Sequence, residues 1–289
     1  MTDWLELRRP SPEQVVAPLV LDVPHAGLRK PPEWRTRLPD LVWQRSADLY
    51  VDELFADAPA QGATLLVARF PRTFLDLNRD REDVDPAAFA DGWPRPVPEP
   101  TRHARTGMGL VWQRCGPELN AIYDAPLTAA EVEARIARYW QPYHEALAAE
   151  LASATARHGR VVHLDCHSMA RLRDVRSPHP DGPLRPDFDL GDLDGASCAP
   201  EVTAAVADHL RGRGFRVTVN REFRGGEILR RHGRPAEGVH ALQIEINRGL
   251  YLAEDRHSRG AGFAALRSEM ALLAARLAAF AQDFAASGR

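Results

Sequence analysis

The sequence predicts an α/β layered fold built on a mostly parallel sheet. Apolar runs of strand length recur along the 289 residues, as in "LVLDV", "RVVHLDC" and "HALQIEIN", and segments of helical spacing lie between them. The placement of polar residues agrees with this. His25, His167 and Glu245 each stand at or near the end of such a run, where α/β sheets gather their functional groups.

Taken in order, "APLVLDVPHAG" gives a buried strand over Leu19–Val23, broken by Pro24 and Gly27, and "ATLLVARF" gives a second over 63–70. Between them "SADLYVDELFADA" has helical spacing through Leu49, Leu54 and Phe55, which makes a β-α-β opening. "FPRTFLDLNRDRED" brings Arg72, Asp76, Asn78 and Arg79 close together on or just after a short strand. Residues 91–107 hold four prolines and two glycines and read as an irregular loop suited to a lid or to binding. The best marked helix follows. Thr128 and Glu131 make a capping box, Val132, Ile136, Tyr139, Tyr143, Leu147 and Leu151 trace one face, and Gly159 follows the end; Pro142 is expected to kink it. Then come the strand "RVVHLDC", a second loop over 174–197, a helix from near Pro200, the strands "FRVTVN" and "VHALQIEIN", and an alanine-rich C-terminal helix. No repeat or linker divides the chain, so it reads as one domain over 1–289 with inserted loops near 85–125 and 170–198.

Composition narrows the function classes. With 44% hydrophobic residues the chain can bury a substantial core, and a net charge of -3 gives no basic field for nucleic acid or a membrane surface. No apolar run approaches the ~20 residues of a membrane span, and "MTDWLELRRP" lacks the layout of a signal peptide. Three widely spaced cysteines, Cys115, Cys166 and Cys198, offer no CxxC pair and no disulfide framework. The expectation is a cytoplasmic protein, monomeric or a small homo-oligomer, with no nucleic-acid or membrane partner. Lys30 is the only lysine, which removes Schiff-base chemistry from every other position.

Side chains alternate along a strand, so in "VVHLDCHSM" His163, Asp165 and His167 share one face while Leu164 and Cys166 take the other. The cysteine then points away from the histidines. That favours a metal site over a Cys–His nucleophile, although Cys166 as a nucleophile with His163 or His167 and a purely hydrogen-bonded structural role for the histidines both stay open. In "HALQIEIN" Glu245 stands among apolar neighbours and reads either as a general base in a polar cleft or as a salt-bridge partner of Arg248 or Arg79. Arg79 and Asn78 are suited to gripping a carboxylate, and Gly225 and Gly226 to close approach of backbone to a ligand. Charge runs and paired glycines also occur in ordinary loops and turns.

Taken together, "VPHAG", "LDLNR", "RTGMG", "RYWQPYHEAL", "DCHSM", "DLGDLDGASC" and "GVHALQIEINRGLY" resemble the N-formylglutamate amidohydrolase (deformylase) family over about residues 20–252. The family is similar to the zinc carboxypeptidases and to the aspartoacylase and succinylglutamate desuccinylase group. The resemblance implies a three-layer α/β/α fold with a mixed, mostly parallel sheet, one catalytic zinc or other divalent ion, and hydrolysis of N-formyl-L-glutamate to formate and L-glutamate. That reaction is often the last step of histidine breakdown. Residue by residue, the resemblance implies His25 and His167 as metal ligands and Asp165 as the partner orienting His167. Relatives use a glutamate where this chain has Leu28; Asp48 is the implied carboxylate ligand instead, with Asp52 and His163 as fallbacks.

The same resemblance implies Glu245 as general base and acid, Arg72 at the developing oxyanion, and Asn78 and Arg79, with Arg105 from the first loop, on the substrate carboxylates. Two positions depart from the family pattern: Glu227 stands where an aromatic residue is common, and Ala170 where proline is common. An acid near the substrate would disfavour a dianion, so another N-acyl or N-formimino amino acid is the alternative substrate. A non-catalytic protein that binds acidic ligands on the same fold is the alternative of a different class.

Overall fold

The structure is a computed structural model that describes residues 3–97, 99–116, 118–173 and 184–287. The described chain gathers into two compact units, Met1–Glu6, Pro24–Leu49 and Ala68–Ala146 forming one, Leu7–Val23, Tyr50–Val67 and Leu147–Arg289 the other.

The second unit carries nearly all of a seven-stranded sheet: β1 (Leu5–Arg8), β2 (Leu19–Val23), β3 (Thr64–Ala68), β6 (Val161–Met169), β7 (Phe188–Gly191), β8 (Val217–Val219) and β9 (Val239–Asn247), in the order β1-β3-β2-β6-β9-β7-β8. β4 (Arg114–Cys115) and β5 (Asn120–Ala121) make a separate small ribbon. β2 runs parallel to β3 and to β6, β6 parallel to β9, and β7 parallel to β8 but antiparallel to β9, so the sheet is mixed. Parallel strands covered on both faces are buried along their length, polar positions included. β2 and β6 are buried at every position, and β9 at all but its first.

Alternation gives the sheet two unlike faces. Leu164, Cys166, Leu242 and Ile244 share one with His240, whose ring meets Phe284 of α8 (Phe263–Ala286) at 4.8 Å and whose Nδ1 accepts from Ala199 at the start of α6 (Pro200–Gly212). The other face carries His163, Asp165, His167, Gln243 and Glu245, and α7 (Glu227–His232) packs against β9 there, with His232 in the field of His163. Helices on both faces complete the three layers. No described helix is long and apolar enough to cross a membrane.

In the first unit an aromatic core of Trp4, Trp34, Trp43, Phe70, Phe74 and Tyr139 meets largely edge-to-face, with centroid separations such as 5.0 Å for Phe70–Tyr139 and 5.1 Å for Trp34–Trp43. Arg135 is buried against it, its guanidinium 4.2 Å from the Phe74 ring centroid and donating to Phe74 O and Tyr123 Oη.

The long helix starts as its sequence predicts. α4 (Ala129–Arg135) opens with a capping box in which Thr128 and Glu131 satisfy each other's backbone N–H groups. Thr128→Ala is expected to cost about 1 kcal/mol, read as a lowered thermal unfolding midpoint. At Pro142 the helix adapts through a π turn over Ile136–Trp140, in which Gln141 N–H bonds Ile136 O, before α5 (Gln141–His158) continues.

Three sequence expectations need correction. The run around Asp76 contains no strand, because β3 ends at Ala68 and residues 72–79 form turns. The helix expected near Leu49–Phe55 is reduced to one turn, α2 (Val51–Leu54), entered through Tyr50 in a left-handed conformation. The second loop, expected over 174–197, contains β7; its acids and glycine hid a strand whose Asp189 is buried and fully engaged. Residues 174–183 of that loop lie outside the described residues.

Candidate active site

His25 comes two residues after β2 ends. Gly27 lets the following turn lie on the chain leaving β3, since a Cβ there would stand 2.3 Å from the Arg69 carbonyl carbon. The His25 carbonyl accepts from Asp48 N–H at 3.0 Å, which ties the two residues together through the backbone. Their side chains face each other: His25 Nδ1 is 3.5 Å from Asp48 Oδ2, with both groups buried. That separation is long for a hydrogen bond and suits two ligands of one ion with bonds of ~2.1 Å.

The other ring nitrogen, Nε2, donates to Asp76 Oδ1 at 2.8 Å. Asp76 is a buried hub. Oδ1 also accepts from Asn78 N–H (3.0 Å), while Oδ2 accepts from Arg72 Nη2 (2.8 Å) and Nε (3.2 Å) and from Trp112 Nε1 (3.2 Å). Burial alone would raise its pKa, but Arg72, His25 and Arg79 outweigh burial and hold the carboxyl well below the usual range. A carboxylate so held fixes the His25 tautomer and turns Nδ1 toward Asp48. Sequence reasoning left Asp76 without a role; an acid between Leu75 and Leu77, four residues after an arginine, was the available signal.

The "LDLNR" backbone is held from the helix. Trp140 Nε1 donates to Arg79 O and His144 Nε2 to Leu77 O, each at 3.1 Å, so the π turn and the start of α5 position Asn78 and Arg79. Arg79 reaches Asn78 O with Nη1 (3.0 Å) and lies 3.7 Å from Asp83. Arg72 stacks on Trp112 and grips Asp76. Arg105, in α3 (Arg102–Arg105), is exposed and paired with Glu99 at 2.7 Å.

On the sheet, His167 and Glu245 are direct partners across β6 and β9, and Asp165 and Gln243 are partners two residues earlier. Each functional side chain is supported from the residue two before it. His167 Nε2 is 2.8 Å from Asp165 Oδ1, and Gln243 Nε2 donates to Glu245 Oε1 at 3.0 Å. His163, on the same face, is instead sealed in the interior, with Nε2 2.6 Å from Asp22 Oδ1. Asp52, the other fallback ligand, is half-buried in α2.

Gly225 and Gly226 are half-buried and precede α7. Glu227 is buried, with Arg231 Nη2 at 2.7 Å and Arg230 Nε at 3.4 Å, so two guanidinium groups offset the charge expected to repel a dianion. Cys166 is fully buried with its thiol toward Leu164 O; burial, with Asp22 and Asp165, pushes its pKa well up. A thiol in that state is a poor nucleophile. Cys166→Ala is therefore expected to retain full hydrolytic activity, measured as kcat.

His25, Asp48 and His167 thus offer two imidazoles and a carboxylate, a group that could hold a metal ion. This donor set is one used by catalytic zinc.

Known proteins resemble the chain over most of its length. It is 32% identical to the N-formylglutamate deformylase of Pseudomonas putida over 252 residues, 82% of each chain. It is 33% identical to the enzyme of that name from Pseudomonas aeruginosa, over 82% of this chain and 83% of the other. The crystal structure of N-formylglutamate amidohydrolase from Ralstonia eutropha JMP134 superposes with a TM-score of 0.89 at 37% identity, covering 98% of this chain and 99% of that one. The model of the N-formylglutamate amidohydrolase family matches residues 17–252, and the chain belongs to that family.

Proposed function

We propose that the chain hydrolyses N-formyl-L-glutamate to formate and L-glutamate, with His25, Asp48 and His167 holding one divalent ion, zinc in the first instance, and Glu245 as general base and acid. The observation that carries the metal reading is that one ligand atom from each of the three residues lies within 4.8 Å of the other two. Strand register supports it. Asp22 of β2 pairs with Asp165 of β6, so the chain reaches His25 just beyond β2 as β6 reaches His167. The substrate reading is supported by the relatives, both curated as N-formylglutamate deformylases.

When bound, the metal would supply Lewis acidity and lower the pKa of a water to ~7. Glu245 takes the proton from the attacking water on its carboxylate and returns it to the departing amide nitrogen. Gln243 fixes one oxygen of that carboxylate and so its orientation. Asp76 holds the imidazole of His25 in one tautomer, and the Asp165 carboxylate lies beside the His167 ring. Asn78 and Arg79 take the substrate carboxylates. Arg72, expected at the oxyanion, is engaged with Asp76 in this structure, and its role in this reading runs through Asp76 and His25.

The test is release of the free amino acid from N-formyl, N-formimino and N-acetyl forms of glutamate and aspartate. N-formylglutamate is expected to give the highest kcat/KM. A higher value for any other member would replace the substrate named here.

A further inference from the structure

Asp189 belongs to none of the groups described above, yet its side chain lies beside the proposed base. β7 runs antiparallel to β9 with Asp189 opposite Glu245, so both side chains stand on the same face of adjacent strands. Asp189 is fully buried, and its carboxylate collects donors from one segment. Oδ2 accepts from Glu222 N–H (2.8 Å) and Phe223 N–H (2.7 Å); Oδ1 accepts from Thr218 Oγ1 (2.5 Å) and, weakly, from Arg221 N–H (3.4 Å).

The segment so held leads into Gly225 and Gly226. Two residues past Asp189, Gly191 lies opposite Gln243, and a Cβ there would come 2.7 Å from the Arg224 carbonyl carbon and the Gly225 nitrogen. The loop therefore lies flat on β7, and Leu193 N–H donates to Arg224 O at 2.7 Å. Glu222 adds a third anchor, its carboxylate taking Arg173 Nε (2.9 Å) and Arg185 Nε (3.1 Å). Glu222 and Glu227 are buried, Arg221 and Arg224 are exposed, and Gly225 and Gly226 are half-buried, so at the glycines the anchored loop presents backbone with no side chain over it.

We infer that Asp189 is a positioning residue for substrate: with Gly191 as floor, it holds the 221–226 loop so that the backbone of Gly225 and Gly226 meets the acyl-amino acid beside Glu245. This rests on the N-formylglutamate reading above. A role confined to the stability of the sheet edge would leave substrate affinity unchanged.

The experiment compares Asp189→Asn and Gly191→Ala with the wild-type full chain. Asparagine removes one charge-assisted acceptor, and alanine lifts the loop without changing charge. In both, KM for N-formylglutamate is expected to rise by about 10-fold to 100-fold, with kcat nearly unchanged and metal content equal to wild type. Hydrogen exchange at the Glu222 and Phe223 amides should quicken in Asp189→Asn while β6 amides stay protected. Unchanged protection at those two amides, or quickened exchange with unchanged KM, overturns the inference. If Asp189→Asn does not fold, the KM of Gly191→Ala decides. A wild-type protein that releases no formate overturns the substrate reading and this inference with it.

Discussion

Glu245→Gln is expected to lower kcat for formate release from N-formylglutamate by about 10²-fold to 10⁴-fold, with KM within a few-fold of wild type and metal content unchanged. The amide keeps the shape of the side chain in a buried position opposite His167, so the change falls on proton transfer and not on packing. Gln243 donates to Glu245 Oε1, and an amide oxygen at the same place still accepts that bond. What the amide loses is the capacity to take a proton from water and hand it to the leaving nitrogen. Steady-state kinetics with metal analysis on the same preparation separates these effects. Activity equal to wild type would remove Glu245 from the reaction; a wild-type protein that released no formate would favour a binding protein on this fold.

Asp76→Ala is expected to destabilise the protein by about 3–5 kcal/mol and to weaken metal binding by about 10-fold to 100-fold. Removing this carboxylate takes the acceptor from the His25 ring, Arg72, Trp112 Nε1 and the Asn78 amide at once. Arg72 then keeps its charge with little water to solvate it, since its side chain is 17% exposed. Freed from Asp76, the His25 imidazole no longer has a fixed tautomer facing Asp48. Thermal unfolding and a metal titration read the two effects separately. A variant that kept wild-type stability and metal affinity would show that the hub has no hold on His25.

How much of this was legible in the chain follows from what each feature depends on. β2, β6 and β9 are readable because apolar residues recur at alternate positions along each strand. The capping box of α4 was equally local. β7 was not readable: "FDLG" reads as loop until Thr218 and the amides of Glu222 and Phe223 are brought to Asp189. The π turn escapes for a similar reason, since it and the start of α5 carry Trp140 and His144 to carbonyls more than 60 residues away.

At the site, alternation separated Cys166 from the histidines, and the resemblance supplied His25, Asp48 and His167. Neither distinguished His163 from His167 by environment, because both stand on the same face; Asp22, on the neighbouring strand, takes His163 into the interior. The oxyanion role of Arg72 is implied by the resemblance alone. Its partner Asp76 lies only four residues on, but the bond from Asp76 to His25 spans 51 positions and no local pattern announces it.

In the proposed reading His25, Asp48 and His167 hold a divalent ion required for hydrolysis of N-formylglutamate. Formate release measured before and after chelator dialysis, and again after titration with zinc, with metal content determined at each step, tests this most directly. Activity is expected to fall by at least about 100-fold on removal and to return at one equivalent of metal per chain. Undiminished formate release from protein shown to contain no divalent ion would contradict it.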